Sequence, residues 1–270
     1  MTTRGPQGPS GSDSSGTSGA DARPEPTRGP RLLVDPQAVP SWLAPLVGHL
    51  DGVTDVVARR GGTPMRLLSA LPGRRQAAVL VLFSGAADPS DPTKPGPDAQ
   101  VVLTQRAATL RNHSGQVAFP GGSRDEGEDY PVGTALREAA EEAAIDPETV
   151  TPLALTGSLA VPPSGFDVVP VISYWDRPHD IRAVDAGETE RVARVRLHDL
   201  LDPANRFQVR RTVLGGRAYQ GPAFGVDGLL VWGFTGGLLA AMTAVAGWDI
   251  PWDHDDVRDL AETLDGLEYR

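Results

Sequence analysis

Apolar positions along the chain fall into runs and stripes that divide it into elements. Residues 41–57 carry Trp42, Leu43, Leu46 and Val47 at helical spacing, which predicts one amphipathic helix or two. Residues 76–83 are a nearly unbroken apolar run, the pattern of a buried strand, and residues 100–105 suit a second strand. Between them, residues 85–98 are rich in Pro, Asp and Gly and predict a loop. From 106 to 127 the periodicity disappears and Gly, Asn, Ser and Pro accumulate, predicting a long structured loop of the kind that carries function. A helix is predicted over 131–143, stopped by the Asp146-Pro147 pair, then strands over 153–159, 168–174 and 190–197. A short helix at 197–201, a hairpin-like pair over 207–213 and 217–224, an apolar helix from Gly228 and an acidic amphipathic helix over 255–267 complete the chain. Strands interrupted by a few helices, without internal repeats, predict an α+β fold. Its expected form is an α/β/α sandwich in one domain, with a mixed sheet and flanking helices.

Composition changes this picture at the N-terminus. Residues 1–30 are mostly Gly, Ser, Thr and Pro, with almost no large apolar side chain to offset the entropy of ordering them. Residues 1–33 are therefore expected to be a disordered leader, and 34–270 a folded domain with N- and C-terminal helical extensions. The leader lacks the apolar core of a secretory signal, and its mixed charges are unlike an organellar transit peptide. A net charge of -10 and a pI near 4.9 argue against a nucleic-acid partner, because such proteins need a basic face to displace counterions. The absence of Cys rules out disulfides, a thiolate nucleophile and a Cys-based zinc site, and a cytoplasmic location is the default expectation. Residues 228–248 carry no charge and approach the length of a membrane span, with Gly233 and Gly237 at a small-xxx-small spacing. Glycines and threonines dilute their hydrophobicity and both flanks are acidic, so a buried helix and no membrane partner are expected.

The helix over 131–143 holds the candidate chemistry. At about 100° per residue, Val132, Ala135, Leu136, Ala139, Ala140 and Ala143 share one stripe, while Glu138, Glu141 and Glu142 lie together away from it. Three neighbouring carboxylates repel one another. Arg137 can pair with Glu141 one turn on, but one guanidinium cannot neutralise all three. An all-oxygen site suits a hard divalent cation such as Mg²⁺ or Mn²⁺; the plainer alternative is a solvated helix face with one Arg–Glu pair. What precedes the helix favours the former. Phe119-Pro120-Gly121-Gly122 is a tight turn whose glycines permit close approach to a ligand, and Glu128 adds a fourth acid.

Gly122, Glu128, Arg137, Glu138, Glu141, Glu142 and Ile145 together resemble the signature of the Nudix family, with two departures. One extra residue separates Glu128 from Arg137, and Ala144 stands where the signature usually has Gly, a backbone cost if that position needs positive φ. The stretch Leu103-Thr104-Gln105-Arg106, then residues 110–122 ending in Phe119-Pro120-Gly121-Gly122, is similar to the coenzyme A pyrophosphatase-like subfamily, which also tends to show the extra residue. Ser164-Gly165-Phe166, residues 188–195 and Val231-Trp232-Gly233 resemble later blocks of the same group.

This resemblance implies hydrolysis of a nucleoside diphosphate derivative: coenzyme A to 3′,5′-ADP and 4′-phosphopantetheine, or alternatively ADP-ribose, a dinucleotide or a nucleoside triphosphate. It implies Glu138 and Glu142 as principal Mg²⁺ or Mn²⁺ ligands, Glu141 as a further ligand or a base, and the Gly122 carbonyl as an added ligand. Arg137 would orient a glutamate, and Glu128 would pair with the loop or position water. Presence of the full acidic set favours catalysis over a ligand-binding module without turnover. Small molecules are the expected partners, with a homodimer left open.

Several residues carry two readings. His113 either touches substrate or holds its loop by hydrogen bonds, and Arg106 and Arg111 either bind phosphate or fix the loop by ion pairs. Gln116, in the same stretch, is counted with them as a substrate-binding candidate. Asp253-His254-Asp255-Asp256 is expected to cap a helix start, since adjacent residues there do not converge on a metal. Arg210 and Arg211 neighbour each other on a strand, so they point to opposite faces and into solvent. Ser164-Gly165 lacks the flanking glycines of a nucleophile elbow.

Overall fold

A computed structural model describes residues 1–2, 29–60, 75–108, 115–161, 164–212 and 218–268. In chain order the elements are β1 (Arg31–Leu32), α1 (Ala44–Val47), α2 (Leu50–Arg60), β2 (Arg75–Ser84), β3 (Gln100–Arg106), β4 (Val117–Ala118), β5 (Gly121–Ser123) and α3 (Val132–Ala143). Then follow β6 (Val150–Leu155), β7 (Leu159–Val161), β8 (Phe166–Trp175), β9 (Thr189–Arg196), α4 (Leu197–Leu201), β10 (Arg206–Thr212) and β11 (Ala218–Val226). The last are β12 (Leu229–Val231), α5 (Gly233–Val245), β13 (Val257–Asp259) and α6 (Leu260–Glu268).

The larger sheet has nine strands with the path β1-β6-β8-β2-β3-β4; β5 adds to β2, β7 to β8 and β9 to β3. β2 and β8 run parallel through its centre, in register from Arg75 opposite Phe166 to Phe83 opposite Tyr174. Buried on both faces, these strands read as continuous apolar runs rather than alternating ones. Alternation nevertheless decides which side chain faces which layer. Ala78, Leu80, Leu82, Val169 and Val171 pack with Ala135, Ala139 and Ala143 of α3. Val81, Phe83 and Ile172 face the opposite layer, with Leu46 of α1, Val53 of α2 and Leu238 to Met242 of α5. Helices thus lie on both faces of a mixed sheet, the expected α/β/α arrangement.

A second, four-stranded sheet, ordered β12-β11-β10-β13, was not anticipated. Its β11 and β12 contribute Phe224, Val226, Leu229 and Val231 to the same core as α5. Arg206 of β10 is buried between the rings of Phe224 (5.1 Å) and Trp252 (4.9 Å) and donates to Asp249 at 2.7 Å. Trp248, after α5, packs on Trp42 (5.4 Å) and Phe83 (6.2 Å) and donates from Nε1 to the Thr93 carbonyl at 3.2 Å. Lys94, the sole lysine of the chain, donates from Nζ to the Gly247 carbonyl. The 85–98 loop is thereby fastened to the C-terminal end of α5, where cations are favoured.

Several boundaries differ from expectation. Arg31 and Leu32, inside the expected leader, pair with Leu155 and Ala154, so ordered structure begins before residue 34. The rest of that leader, apart from residues 1–2 and 29–30, lies outside the described residues. The 106–127 loop contains β4 and β5, too short for periodicity to reveal. The strand expected over 153–159 ends at Leu155, and the chain resumes as β7 after Thr156-Gly157-Ser158. Residues 229–231 form β12 rather than the first turn of the apolar helix, because Asp227 and Gly228, both at positive φ, make a hairpin turn there. Residues 257–259 form β13, so Asp253 to Asp256 lie in a turn before a strand; Asp256 pairs with Arg258 at 2.6 Å. Arg210 and Arg211 are both exposed, as expected. Among the described residues no helix is long and apolar enough to cross a membrane, and α5 is 13 residues long and largely buried.

Candidate active site

α3 brings the acids together because its packing face is made of small residues. Ala135, Ala139 and Ala143 are fully buried against β2 and β8, so the helix axis lies close to the sheet and its opposite edge overhangs β5. β5 pairs antiparallel with β2 through Ala77–Ser123, Ala78–Gly122 and Val79–Gly121. Two glycines allow this approach. A Cβ at residue 121 would stand 2.4 Å from the Ala78 carbonyl oxygen, and one at residue 122 would stand 2.4 Å from the Glu138 carboxyl group. Gly122 is therefore the floor on which the Glu138 carboxylate rests. Glu142, one turn further on, accepts the Gly121 N–H at 3.1 Å.

Arg137 sits amid the acids. Its Nε donates to Glu128 Oε1 (2.8 Å), Nη1 to Glu141 Oε2 (2.8 Å), and Nη2 to Glu138 Oε1 (3.0 Å) and the Ser123 carbonyl (3.0 Å). Asp125 is a fourth carboxylate, 3.7 Å from Nη2. Such a fork matches planar carboxylates as a lysine could not. The hydrogen bond donated to Glu128 leads in raising the guanidinium pKa further, so Arg137 stays charged. Glu128 also accepts the Thr134 hydroxyl (2.6 Å) and the Asp125 N–H (3.1 Å). Burial alone would raise its pKa, but these bonds, with those from Arg137, outweigh burial and bring it down to about 2. The extra residue between Glu128 and Arg137 leaves their contact intact.

The other carboxylates differ. Burial holds Glu138 above the ordinary range in spite of Arg137. Burial likewise raises Glu142 to about 7; the Gly121 N–H and the Arg106 charge lower it, while Glu138 and Glu188 push it up. Glu141 is 60% exposed at the outer edge of Arg137. The three helix carboxylates thus do not meet at one point: Glu138 and Glu141 turn to Arg137, and Glu142 turns to β5. Among the described residues no three Asp, Glu or His side chains already form a metal cage. The donor set nonetheless fits a hard divalent cation in kind. It is all oxygen, its acids outnumber the guanidinium groups near them, and burial raises Glu138 and Glu142 above the ordinary carboxylate range.

Of the substrate-binding candidates, Arg106 ends β3 and acts on Glu142 through its charge, and the Gln116 carbonyl accepts the Arg106 N–H at 3.0 Å. Arg111 and His113 lie outside the described residues. The sequence reading missed Ser123, Asp125, Thr134 and Glu188. Thr134 could have been found as the one hydroxyl on the helix edge facing Glu128. Ser123 contributes a carbonyl, which leaves no signal in residue type. Ala144 caps α3 at φ 56, so the position that the signature gives to Gly does take the left-handed conformation.

Comparison with known proteins gives the geometry its context. Residues 75–214 match the NUDIX domain family. The chain is 33% identical over 185 residues to an uncharacterised Nudix hydrolase named NudL from Cronobacter sakazakii, covering 64% of this chain and 84% of that protein. A NudL of Klebsiella pneumoniae is 32% identical over 218 residues, covering 75% of this chain and 98% of its own. Among solved structures, an Ap4A hydrolase binary complex of C. elegans is 20% identical with a TM-score of 0.39, covering 64% of this chain and 98% of its own.

Proposed function

This chain belongs to the Nudix family, and we propose that within that family of hydrolases it cleaves the diphosphate of coenzyme A or its derivatives, releasing 3′,5′-ADP and 4′-phosphopantetheine. It is a hydrolase of a diphosphate substrate; the choice of coenzyme A rests on the stretch from Leu103 to Gly122 and the extra residue before Arg137. Members of the family use divalent metal ions, here read as Mg²⁺ or Mn²⁺. Glu138 and Glu142 would hold the ion, with Glu141 and the Gly122 carbonyl as additional ligands. When bound, it supplies positive charge for the phosphate oxygens and the leaving group, and lowers the pKa of water.

The chain's own residues then have separable tasks. Arg137 fixes Glu138 and Glu141 in place, and Glu128, already ionised and held by Thr134, keeps Arg137 from swinging away. Gly122 leaves the space that the Glu138 carboxylate occupies, and Gly121 lets β5 approach β2. Arg106, whose charge reaches Glu142, would meet a phosphate, with Gln116, Arg111 and His113 assigned to the same task by the motif. Glu141, the exposed member, is bonded to Arg137 through one oxygen, and we assign it as a further ligand or as the base.

The observation that carries this reading is two carboxylates on one edge of α3, Glu138 over Gly122 and Glu142 on the Gly121 N–H, with burial opposing the charge of both. A panel assay tests it: coenzyme A, acyl-coenzyme A, dinucleotides and ADP-sugars, each with Mg²⁺, Mn²⁺ or EDTA. The highest kcat/KM is expected for a coenzyme A species, with no turnover in EDTA. A higher value for ADP-ribose or a dinucleotide would move the substrate assignment, and absence of turnover throughout would make the protein a binding module.

A further inference from the structure

Beyond the cap of α3 the chain is tied to the connection between β8 and β9 by a closed ring of contacts. His179 accepts the Asp146 N–H at Nε2 (3.1 Å) and donates from Nδ1 to the Asp180 carbonyl (2.9 Å), a pairing that places its proton on Nδ1. Its ring meets the buried Trp175 edge-on at 5.1 Å. Trp175 donates from Nε1 to the Thr149 hydroxyl (2.9 Å), which donates to the Asp146 carbonyl (2.6 Å) and closes the ring.

From this anchor the connection runs back along the last turn of α3. The Arg182 N–H donates to the Ala143 carbonyl (3.3 Å) and the Val184 N–H to the Glu142 carbonyl (3.4 Å). The chain turns at Asp185, whose carboxylate accepts the Gly187 N–H at 2.7 Å, and the Glu188 carbonyl accepts the Ala107 N–H at 2.9 Å. Residues 182–188 are therefore held through their backbone beside the last turn of α3. Val184 is 55% exposed, the most exposed large apolar side chain among the described residues after Met1. Lone exposed apolar residues are common on protein surfaces. What distinguishes Val184 is that its own N–H is bonded to the main chain of Glu142, one of the carboxylates of the site.

We infer that residues 180–188 form a wall of the substrate site and that Val184 is a specificity-determining contact for an apolar group attached to the diphosphate, either a nucleobase or a pantetheine-like arm. The inference rests on the reading of the chain as a diphosphate hydrolase and adds the surface that selects the rest of the substrate. His179 is the positioning residue that keeps this wall on α3.

Val184→Ser removes apolar surface without placing charge beside Glu142, and the exposed position keeps the fold intact. With the best substrate of the wild-type protein, KM should rise about 5- to 10-fold with kcat within about twofold, less than the 10-fold or more that an enclosed methylene gives. Val184→Ile should keep the wild-type KM. Inhibition by 3′,5′-ADP and by 4′-phosphopantetheine, measured separately, shows which half touches Val184: only that product should lose affinity in Val184→Ser. In His179→Leu, the amides of Arg182 and Val184 should exchange faster with solvent and KM should rise. Unchanged KM and unchanged inhibition by both products in Val184→Ser would overturn the inference, as would faster amide exchange in His179→Leu without a change in KM. A wild-type protein that hydrolyses no diphosphate overturns the functional reading and this inference with it, whereas an active one with an unaffected Val184→Ser overturns this inference alone.

Discussion

At the scale of single residues, the site depends on differences among side chains of one type. Four glutamates lie within one stretch, yet Glu128 is held ionised by three donors, Glu141 is exposed, and burial raises Glu138 and Glu142 above the ordinary range. Glu142→Gln keeps size and removes charge, and it should lower kcat/KM by about 100-fold or more, the scale on which lost transition-state charge stabilisation is felt. Steady-state kinetics at saturating Mg²⁺ checks this, and a variant as fast as the wild type would remove Glu142 from the metal role. Ala144 offers a test in the other direction. Its φ of 56 strains a Cβ-bearing residue, so Ala144→Gly should stabilise the protein by about 0.5–1 kcal/mol, seen as a higher Tm with kcat unaltered. A lower Tm would mean that the alanine methyl packs better than its backbone geometry suggests.

At the scale of elements, α3 couples acid–base behaviour to stability. Glu128 has its folded pKa lowered from 4.5 to about 2, so its contribution is present above about pH 4.5 and is lost as pH falls towards 2. Glu142 has its folded pKa raised from 4.5 to about 7, so its contribution is present below about pH 4.5 and is lost as pH rises through 7. Without metal, only the Glu142 contribution changes as pH approaches neutrality, since that of Glu128 is already complete there. A divalent cation binds the ionised carboxylate, so the rise in Tm given by Mg²⁺ should be larger at pH 8 than at pH 6. Melting curves with and without Mg²⁺ decide it, and an increment independent of pH would show that Glu142 is not a ligand.

The element scale is also where the sequence was most and least informative. α3 was legible to within one residue at its start because its alanine stripe and its acids fall on different faces for the full length of the helix. β2 and β8 were legible because burial on both faces makes their apolar runs unmistakable. β4 and β5 were not: two or three residues including two glycines have no period, and β5 exists because β2 offers it an open edge. β12 was absorbed into the apolar helix because hydrophobicity alone does not separate a buried strand from a buried helix. The acids of the site were readable from residue type and spacing. The backbone groups that hold them, the Ser123 carbonyl and the Gly121 N–H, were not, since every residue carries both groups.

At the scale of the whole molecule, two sheets share one core, and α5 with the residues after it joins them. Trp248 lies at that junction against Trp42 and Phe83, far in sequence from the acids. Trp248→Ala should cost about 3–5 kcal/mol in urea unfolding, and kcat of the remaining folded fraction should stay close to the wild-type value. A large drop in kcat at full folding would tie this junction to the chemistry. The buried Arg206, paired with Asp249 between two rings, has the same architectural character: it ties β10 of the second sheet to the residues after α5.

The one lysine in 270 residues gives the molecule a built-in chemical reporter. Because Lys94 donates to the Gly247 carbonyl, acylation by an amine-reactive ester is expected to be favoured when the 85–98 loop lifts from the end of α5. Labelling at Lys94, followed by mass spectrometry over time, should therefore be slow in the native protein and fast in Trp248→Ala, with equal rates in both arguing that the loop opens freely. A conjugate made there also neutralises the cation at a helix C-terminus, so a dye or a solid support attached through its amine would loosen the junction of the two sheets while leaving the acid cluster untouched.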